Sequence, residues 1–447
     1  MKSMLFKRKI MDELVAWKNR WSGSRALLLE GARRIGKTTV AEEFGKKYYK
    51  SYVLINFAID VEARKLFRER TGGLNSILNS ISALYGVNLY PRETLIIFDE
   101  VQSCPPAREL IKALVADGRY DYLETGSLIS IRKNVENILI PSEEIKVTMY
   151  PMDFEEFCWA RGDEVTVPFI RRAFEKLEPL GPLFRTIMLR FRDYLVVGGM
   201  PQAVEAYLAN SMYVESENAK RNILSLYRED IAKFALGYEG KARAIFDAIP
   251  AMLSHHDKKI AFSSFGAGFR FPNFAETLYW LSDSKTVNLV SRQENLDPLD
   301  GFFLDESKTK CYMADTGLLL TMSLGDDDAL SNDFYRSIAL GQLSGNEGMI
   351  VENIVCQCLK NNHKNLSFFE KKEADRARKY EVDFVVKRGN KYDLIEVKSS
   401  SASKISSLKY CKEKYGKSIN KMYVLGMSDI SVKDGIIFLP LPFATCI

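Results

Sequence analysis

Histidine is scarce in this 447-residue chain, three in all, and its seven cysteines are scattered with no CxxC pair among them. That distribution argues against a structural zinc, whose ligands come as closely spaced pairs. Cys104, Cys158, Cys311, Cys356, Cys358, Cys411 and Cys446 read instead as reduced, mostly small core residues. His255 and His256 stand together beside Asp257, a cluster that reads as a solvated turn. No uncharged apolar run reaches the length of a membrane-crossing helix, and "MKSMLFKRKIMDELVAWKNRW" at the start has no apolar core of signal-peptide length, which points to the cytoplasm and to no membrane partner. Polar low-complexity tracts and collagen, coiled-coil or solenoid periods are missing too, so a globular protein with real cores is expected. A strong charge of one sign is also lacking. With 63 basic and 58 acidic side chains the formal charge is only +5, which does not by itself announce a nucleic-acid binder and leaves a local basic face open.

The length exceeds one ordinary core, and a prior of roughly 150 residues per domain gives about three domains. Residues 26 to 148 alternate short apolar runs ("RALLLE", "SYVLINF", "TLIIFDE", "YDYLETGS", "EIKVTMY") with helical stretches. Continuous apolar runs between helices indicate strands buried on both faces, hence a parallel sheet. The fold class is therefore α/β over 1–150. Amphipathic patterns then dominate 151–340, clearest in "IMLRFRDYLVVGGMPQAVEAYL" and "NILSLYREDIAKFALG". Within that region "IFDAIPAMLSH", "NFAETLYWLSDSKTVNLV" and "KTKCYMADTGLLL" read as helices followed by a short β element, compatible with a winged helix, although "SSFGAGFRFPNF" is rich in glycine and aromatics where a second helix belongs. Over 341–447 the pattern is helix, three strands, helix, strand, and a last strand "GIIFLPL", with Gly-Asn in "RGNKYD" marking a hairpin.

"GARRIGKT" fits the phosphate-loop spacing between a strand and a helix. Gly31, Ala32, Arg33, Arg34, Ile35, Gly36, Lys37, Thr38 and Thr39 are the expected nucleotide-binding residues. Glycines let main-chain N–H groups face a phosphate, the helix start adds positive potential, Lys37 reaches the β and γ phosphates, and Thr38 offers a hydroxyl to Mg²⁺. In "TLIIFDE", Asp99 at the strand end is expected to hold Mg²⁺ through water, and Glu100 to orient and polarise the attacking water. The next strand ends in "YLETGS", where Thr125, or Ser127 in its place, would sense the γ phosphate. Arg132 is a further candidate for acting on a neighbour's nucleotide.

"YEVDFVVKRGNKYDLIEVKSS" suggests other chemistry. Side chains alternate along a strand, so Glu396 and Lys398 share a face. If Asp383 faces the same cleft, the two carboxylates can bind Mg²⁺ while Lys398 stabilises charge or helps deliver water. Glu352 on the preceding helix is a further candidate ligand or base.

Taken in order, "GARRIGKTT", "IIFDEVQ", "LETGS", "YPMDFEEF", "YLVVGGMPQAV", "MADTGLL", "GMIVENIV", "EVDFVV" and "IEVKSS" make most of the chain similar to bacterial and archaeal AAA-type ATPases with a C-terminal PD-(D/E)XK nuclease-like domain. The resemblance implies a P-loop ATPase (1–150), a helical and winged-helix-like middle domain (151–340) and a restriction-endonuclease-like α/β domain (341–447). It implies ATP and Mg²⁺ as cofactors, and carries Lys37, Thr38, Asp99, Glu100 and Thr125 into the ATPase site and Glu352, Asp383, Glu396 and Lys398 into the nuclease-like one. Two departures stand out: the irregular winged-helix segment, and Val382 before Asp383 in place of the motif's proline. The function expected is ATP hydrolysis whose nucleotide state controls the C-terminal domain, with DNA as the candidate macromolecular partner. The alternative is a slow regulatory ATP-binding switch whose nuclease-like domain only grips a partner.

Overall fold

The five apolar runs between residues 26 and 148 form one sheet in a computed structural model of the chain. The structure describes residues 4–69, 72–126, 143–235, 237–297, 303–325, 330–342, 347–363, 365–372, 379–399 and 405–447; Ser127 and Arg132 lie outside them. Two units are present, one of residues 1–150 with 283–285, the other of 151–282 with 286–447. Among the described residues, no helix is long and apolar enough to cross a membrane, and all seven cysteines are free.

In the first unit the order is α1 (Ile10–Trp21), β1 (Ala26–Glu30), α2 (Lys37–Tyr48), β2 (Ser51–Asn56), α3 (Val61–Glu69), α4 (Gly73–Tyr85), β3 (Thr94–Asp99), α5 (Pro105–Asp117), β4 (Asp121–Gly126) and β5 (Glu144–Thr148). The strands run β2-β3-β4-β1-β5, each parallel to its neighbours. Every residue of β1, β3 and β4 is buried, as expected of a parallel sheet covered on both faces. On one face Phe57, Phe67 and Phe98 meet edge to face at 5.3–5.4 Å between ring centres. Because the strands are parallel, their C-terminal ends share one edge, and β4 sits between β1 and β3. That order brings the turn after β1, the acid ending β3 and the polar end of β4 together.

The second unit opens with helices α6 (Phe154–Ala160), α7 (Thr166–Lys176), α8 (Phe184–Val197), α9 (Pro201–Asn210), α10 (Tyr213–Phe234), α11 (Glu239–Ser254) and α12 (Ala275–Asp283). Then come β6 (Val287–Gln293), β7 (Leu304–Met313), α13 (Thr316–Ser323), α14 (Asn332–Ala339), α15 (Glu347–Asn362), β8 (Leu366–Lys372), β9 (Lys379–Arg388), β10 (Lys391–Val397), α16 (Ser406–Tyr415), β11 (Ile419–Gly426), β12 (Ser431–Lys433) and β13 (Ile436–Pro440). "KTKCYMADTGLLL" is thus a strand end followed by a helix, the reverse of the order read from its pattern, because its residues 309–313 pair with β6. "SSFGAGFRFPNF" forms two short 3₁₀ turns held by ring contacts such as Phe262 and Phe269 on Phe274, each at 5.5 Å.

β6 and β7 do not stand apart: β6 pairs in parallel with β8, giving one mixed sheet in the order β12-β13-β11-β10-β9-β8-β6-β7. Gly389-Asn390 closes the β9–β10 hairpin, with Arg388 opposite Lys391 and Gly389 at φ 61°. Three of the sequence motifs meet elsewhere in this unit, joined by Gln357 of α15. Asp315 caps α13 through Leu318 N at 3.0 Å and accepts from Gly199 N at 2.6 Å, while Gln357 accepts from Thr316 and donates to Tyr194, whose hydroxyl reaches Met152 O. A β-carbon on Gly199 would lie 2.1 Å from Met152 O, so only glycine fits this crossing.

Candidate functional site

The turn from β1 to α2 winds through positive φ at Gly31 (153°), Arg34 (69°) and Gly36 (93°). A β-carbon on Gly31 would fall 2.3 Å from Met149 O. Ile35 is fully buried and pins the loop's underside, Ala32 is buried, and Arg33, Arg34 and Thr39 are exposed. Lys37 opens α2 with only 8% exposure, and its ammonium donates to the carbonyls of Gly31 (3.0 Å) and Ala32 (2.8 Å). The charge is therefore held inside the ring of the loop, at the positive end of the helix.

Thr38 donates to Asp99 Oδ1 at 2.8 Å, Thr125 donates to the same oxygen, and Asn56 at the end of β2 donates to Oδ2 at 2.7 Å. Asp99 is almost fully buried, so its charge is stabilised by these donors. A threonine hydroxyl in contact with a carboxylate beside a phosphate-loop lysine is the hard-oxygen pair that fits Mg²⁺. Glu100 is half-buried in the left-handed region, φ 51°, where the chain leaves the strand, and its carboxylate accepts from the Gln102 amide. That conformation is unfavourable for a residue with a β-carbon and swings Glu100 off the strand direction. Arg8 braces the loop from outside the motif, donating to Ile35 O at 2.9 Å and Tyr150 O at 2.7 Å.

Behind the site, Arg108 on α5 is buried between Glu124 (2.6 Å) and Glu144 (2.7 Å). Burial pushes both carboxyls up and Arg108 only partly offsets it, since one guanidinium faces two acids.

In the second unit, Asp383 on β9 and Glu396 on β10 stand one step beyond the last paired residues, Phe384 and Ile395. Asp383 Oδ2 accepts from Val397 N at 2.8 Å, and Lys398 donates to Glu396 Oε1 at 2.7 Å. Glu396 Oε2 is buried with no hydrogen-bond partner among the described residues. Burial raises both carboxyls, reinforced at Asp383 by Glu352 and at Glu396 by Asp383. Burial pulls the Lys398 ammonium down, but Glu396 more than offsets this and leaves it raised. Glu352, on α15, joins the cluster differently. Its Oε1 accepts from Tyr312 and lies 3.3 Å from Lys310 Nζ, and its Oε2 accepts from Lys258. Burial pushes the Glu352 carboxyl up, yet Lys310 and Lys258 outweigh that and hold it below the ordinary range. An orphaned buried carboxylate oxygen on Glu396 fits a cation there. Among the described residues, no group of three or more His, Cys, Asp or Glu is arranged to hold a metal.

Residues 23–158 match a family described as an AAA domain. The matched stretch takes in all five strands of the first unit and runs on into α6. Residues 188–329 and 347–444 match two domains of unknown function, DUF8612 and DUF4143. A comparison with curated proteins finds no match. Among solved structures, PCH-2 of C. elegans is 14% identical with a TM-score of 0.29, over 47% of this chain, which spans 65% of the length of PCH-2. The Thermotoga maritima RuvB Holliday junction branch migration motor is 14% identical over 63% of this chain and 89% of its own, TM-score 0.29. Cdc6p from Pyrobaculum aerophilum is 12% identical over 77% and 98%, TM-score 0.28. At these TM-scores the likeness is too loose to carry structural or functional detail.

Sequence reading did not single out Arg8, Asn56, Lys258, Lys310 or Tyr312. Asn56 had a signal, a polar residue ending an apolar strand next to the one that ends in Asp99. Lys310 had a weaker one, a lysine leading into the apolar residues "CYM" and buried in the same continuous run as they are.

Proposed function

We propose that the AAA domain binds and hydrolyses ATP and that its nucleotide state controls a nuclease-like C-terminal region acting on nucleic acid in the cytoplasm. The observation that carries this reading is the Lys37 ammonium inside the β1–α2 loop beside the Thr38–Asp99 contact. In the proposed cycle the loop amides and Lys37 hold the β and γ phosphates, and Thr38 and Asp99 hold Mg²⁺. When bound, Mg²⁺ offsets charge on the phosphate oxygens. Glu100 orients a water and takes its proton as the oxygen bonds to the γ phosphorus, the bond to the β–γ bridging oxygen breaks, and ADP and phosphate leave. Thr125, hydrogen-bonded to Asp99, reports loss of the γ phosphate along β4. Control of the second unit requires that ATP bind one of its states better than the other, since equal affinity shifts nothing.

The α15-β8-β9-β10-α16-β11 order and the Asp383–Glu396–Lys398 cluster support a PD-(D/E)XK-like region over 341–447, with a helical, winged-helix-like region over 151–340. Nucleic acid as partner draws support from a groove of about 1590 Å³ whose walls include Lys371, Lys387, Lys391, Lys412, Lys414 and Lys417. Charge reversal at Lys391 and Lys417 should weaken DNA binding and flatten its salt dependence by about one unit of slope per lost contact. The alternative, a regulatory switch with a non-catalytic grip domain, is favoured by one observation: both Glu352 oxygens are already engaged by protein donors. Glu100→Gln separates the two. Under the hydrolytic reading this variant keeps Mg-ATP bound while phosphate release falls by roughly 10²-fold or more; turnover equal to the parent's would refute it.

A further inference from the structure

Lys310 is the least exposed ammonium in the second unit's carboxylate cluster, at 1%. Its Nζ lies 2.9 Å from Glu381, 3.3 Å from Glu352 and 3.9 Å from Asp383, and 5.0 Å from the Phe368 ring centre. It therefore bridges carboxylates from α15 and β9, from a strand that pairs with neither. Glu352 has no oxygen left over: Oε1 takes Lys310 and Tyr312, Oε2 takes Lys258. Among the described residues, two carboxylate oxygens remain differently placed, Glu396 Oε2 without a hydrogen-bond partner and Asp383 Oδ1 at 3.9 Å from Lys310.

Charge counting agrees. Asp257, Glu352, Glu370, Glu381, Asp383 and Glu396 carry six negative charges when ionised. Lys258, Lys259, Lys310, Lys379 and Lys398 carry five positive ones, joined to those acids by ion pairs. The network therefore holds one acid more than it has ammoniums. Two divalent ions would add four charges, with one of them against a fixed ammonium; catalytic ion pairs elsewhere sit only about 3.5–4 Å apart. One ion, at the Glu396 side, leaves an excess that a phosphodiester can reduce.

We propose that Lys310 permanently fills the second cation position of this cluster, so that Glu352 is not a metal ligand and the site takes a single divalent ion between Asp383 and Glu396. Lys310 is then a positioning residue that spaces Glu352 from Asp383 and leaves the ion's place open. The proposal rests on the nuclease-like reading of the C-terminal region.

The test is Mn²⁺ counting by electron paramagnetic resonance on the nucleotide-free full chain, in an Asp99→Asn background so that ions at the phosphate loop do not contribute. One Mn²⁺ per chain is expected, lost in Glu396→Gln and kept in Glu352→Gln. Lys310→Met, which retains volume and removes charge, should raise the count to two. Two ions in the background protein, a count of one persisting in folded Lys310→Met, or loss of the ion in Glu352→Gln would each overturn the inference. If Lys310→Met does not fold, Glu352→Gln decides. A count of two would leave the nuclease-like reading standing, whereas a count of zero would remove both.

Discussion

Lys37 is buried in the loop it serves, its ammonium donating to the main-chain carbonyls of Gly31 and Ala32. A phosphate entering that ring exchanges neutral acceptors for an anion, a stronger pairing in a partly desolvated place. Mg-ATP at 100 times its dissociation constant should raise unfolding stability by about 2.7 kcal/mol. Lys37→Ala should abolish that increment while leaving the ligand-free melting temperature nearly unchanged, as differential scanning fluorimetry can report. The residues of this loop were legible because their spacing is local. Lys310 and Lys258 were not: they reach Glu352 from 42 and 94 positions away, and only the sheet order brings them there. Asp383, Glu396 and Lys398 were legible as a set because a two-residue hairpin turn fixes their register.

At the scale of elements, burial on both faces made the strands of the first sheet readable as apolar runs, and Gly389-Asn390 made one hairpin readable. In "KTKCYMADTGLLL" the second half is a helix and the first half the buried end of the last strand of the sheet, β7, so two element types share one apolar stretch. Membership of β6 and β7 in the C-terminal sheet had no local signal, since the β6–β8 pairing joins residues 76 apart (367 − 291). Asp315 sits where these elements lock: it caps α13 and binds Gly199 N in the bend between α8 and α9. Burial pushes its carboxyl up, against the amide bonds of Gly199 and Leu318. Asp315→Ala leaves those two buried N–H groups unpaired and should cost about 1–3 kcal/mol for each, seen as a lower denaturation midpoint. Asp315→Asn should recover part of the loss by keeping an acceptor.

For the whole molecule, the buried Arg108–Glu124–Glu144 group links stability to pH. Burial raises Glu124 above its unfolded value, so the folded chain keeps a proton that the unfolded chain has released. The stability so gained is complete below the ordinary glutamate value and is lost as pH rises through the folded one. Unfolding free energy should thus decline from about pH 5 upward, and Glu124→Gln should remove that part of the slope in urea titrations.

The same scale holds the central claim, that ATP turnover in the first unit and nucleic-acid engagement by the second belong to one cycle. The most direct measurement is the steady-state phosphate-release rate of the full chain with and without single- and double-stranded DNA, at salt low enough for binding. The account predicts Mg²⁺-dependent hydrolysis that one of the two DNA forms accelerates, with Lys391→Glu/Lys417→Glu blunting the response. Equal rates with and without either DNA, under conditions where DNA is bound, would contradict it.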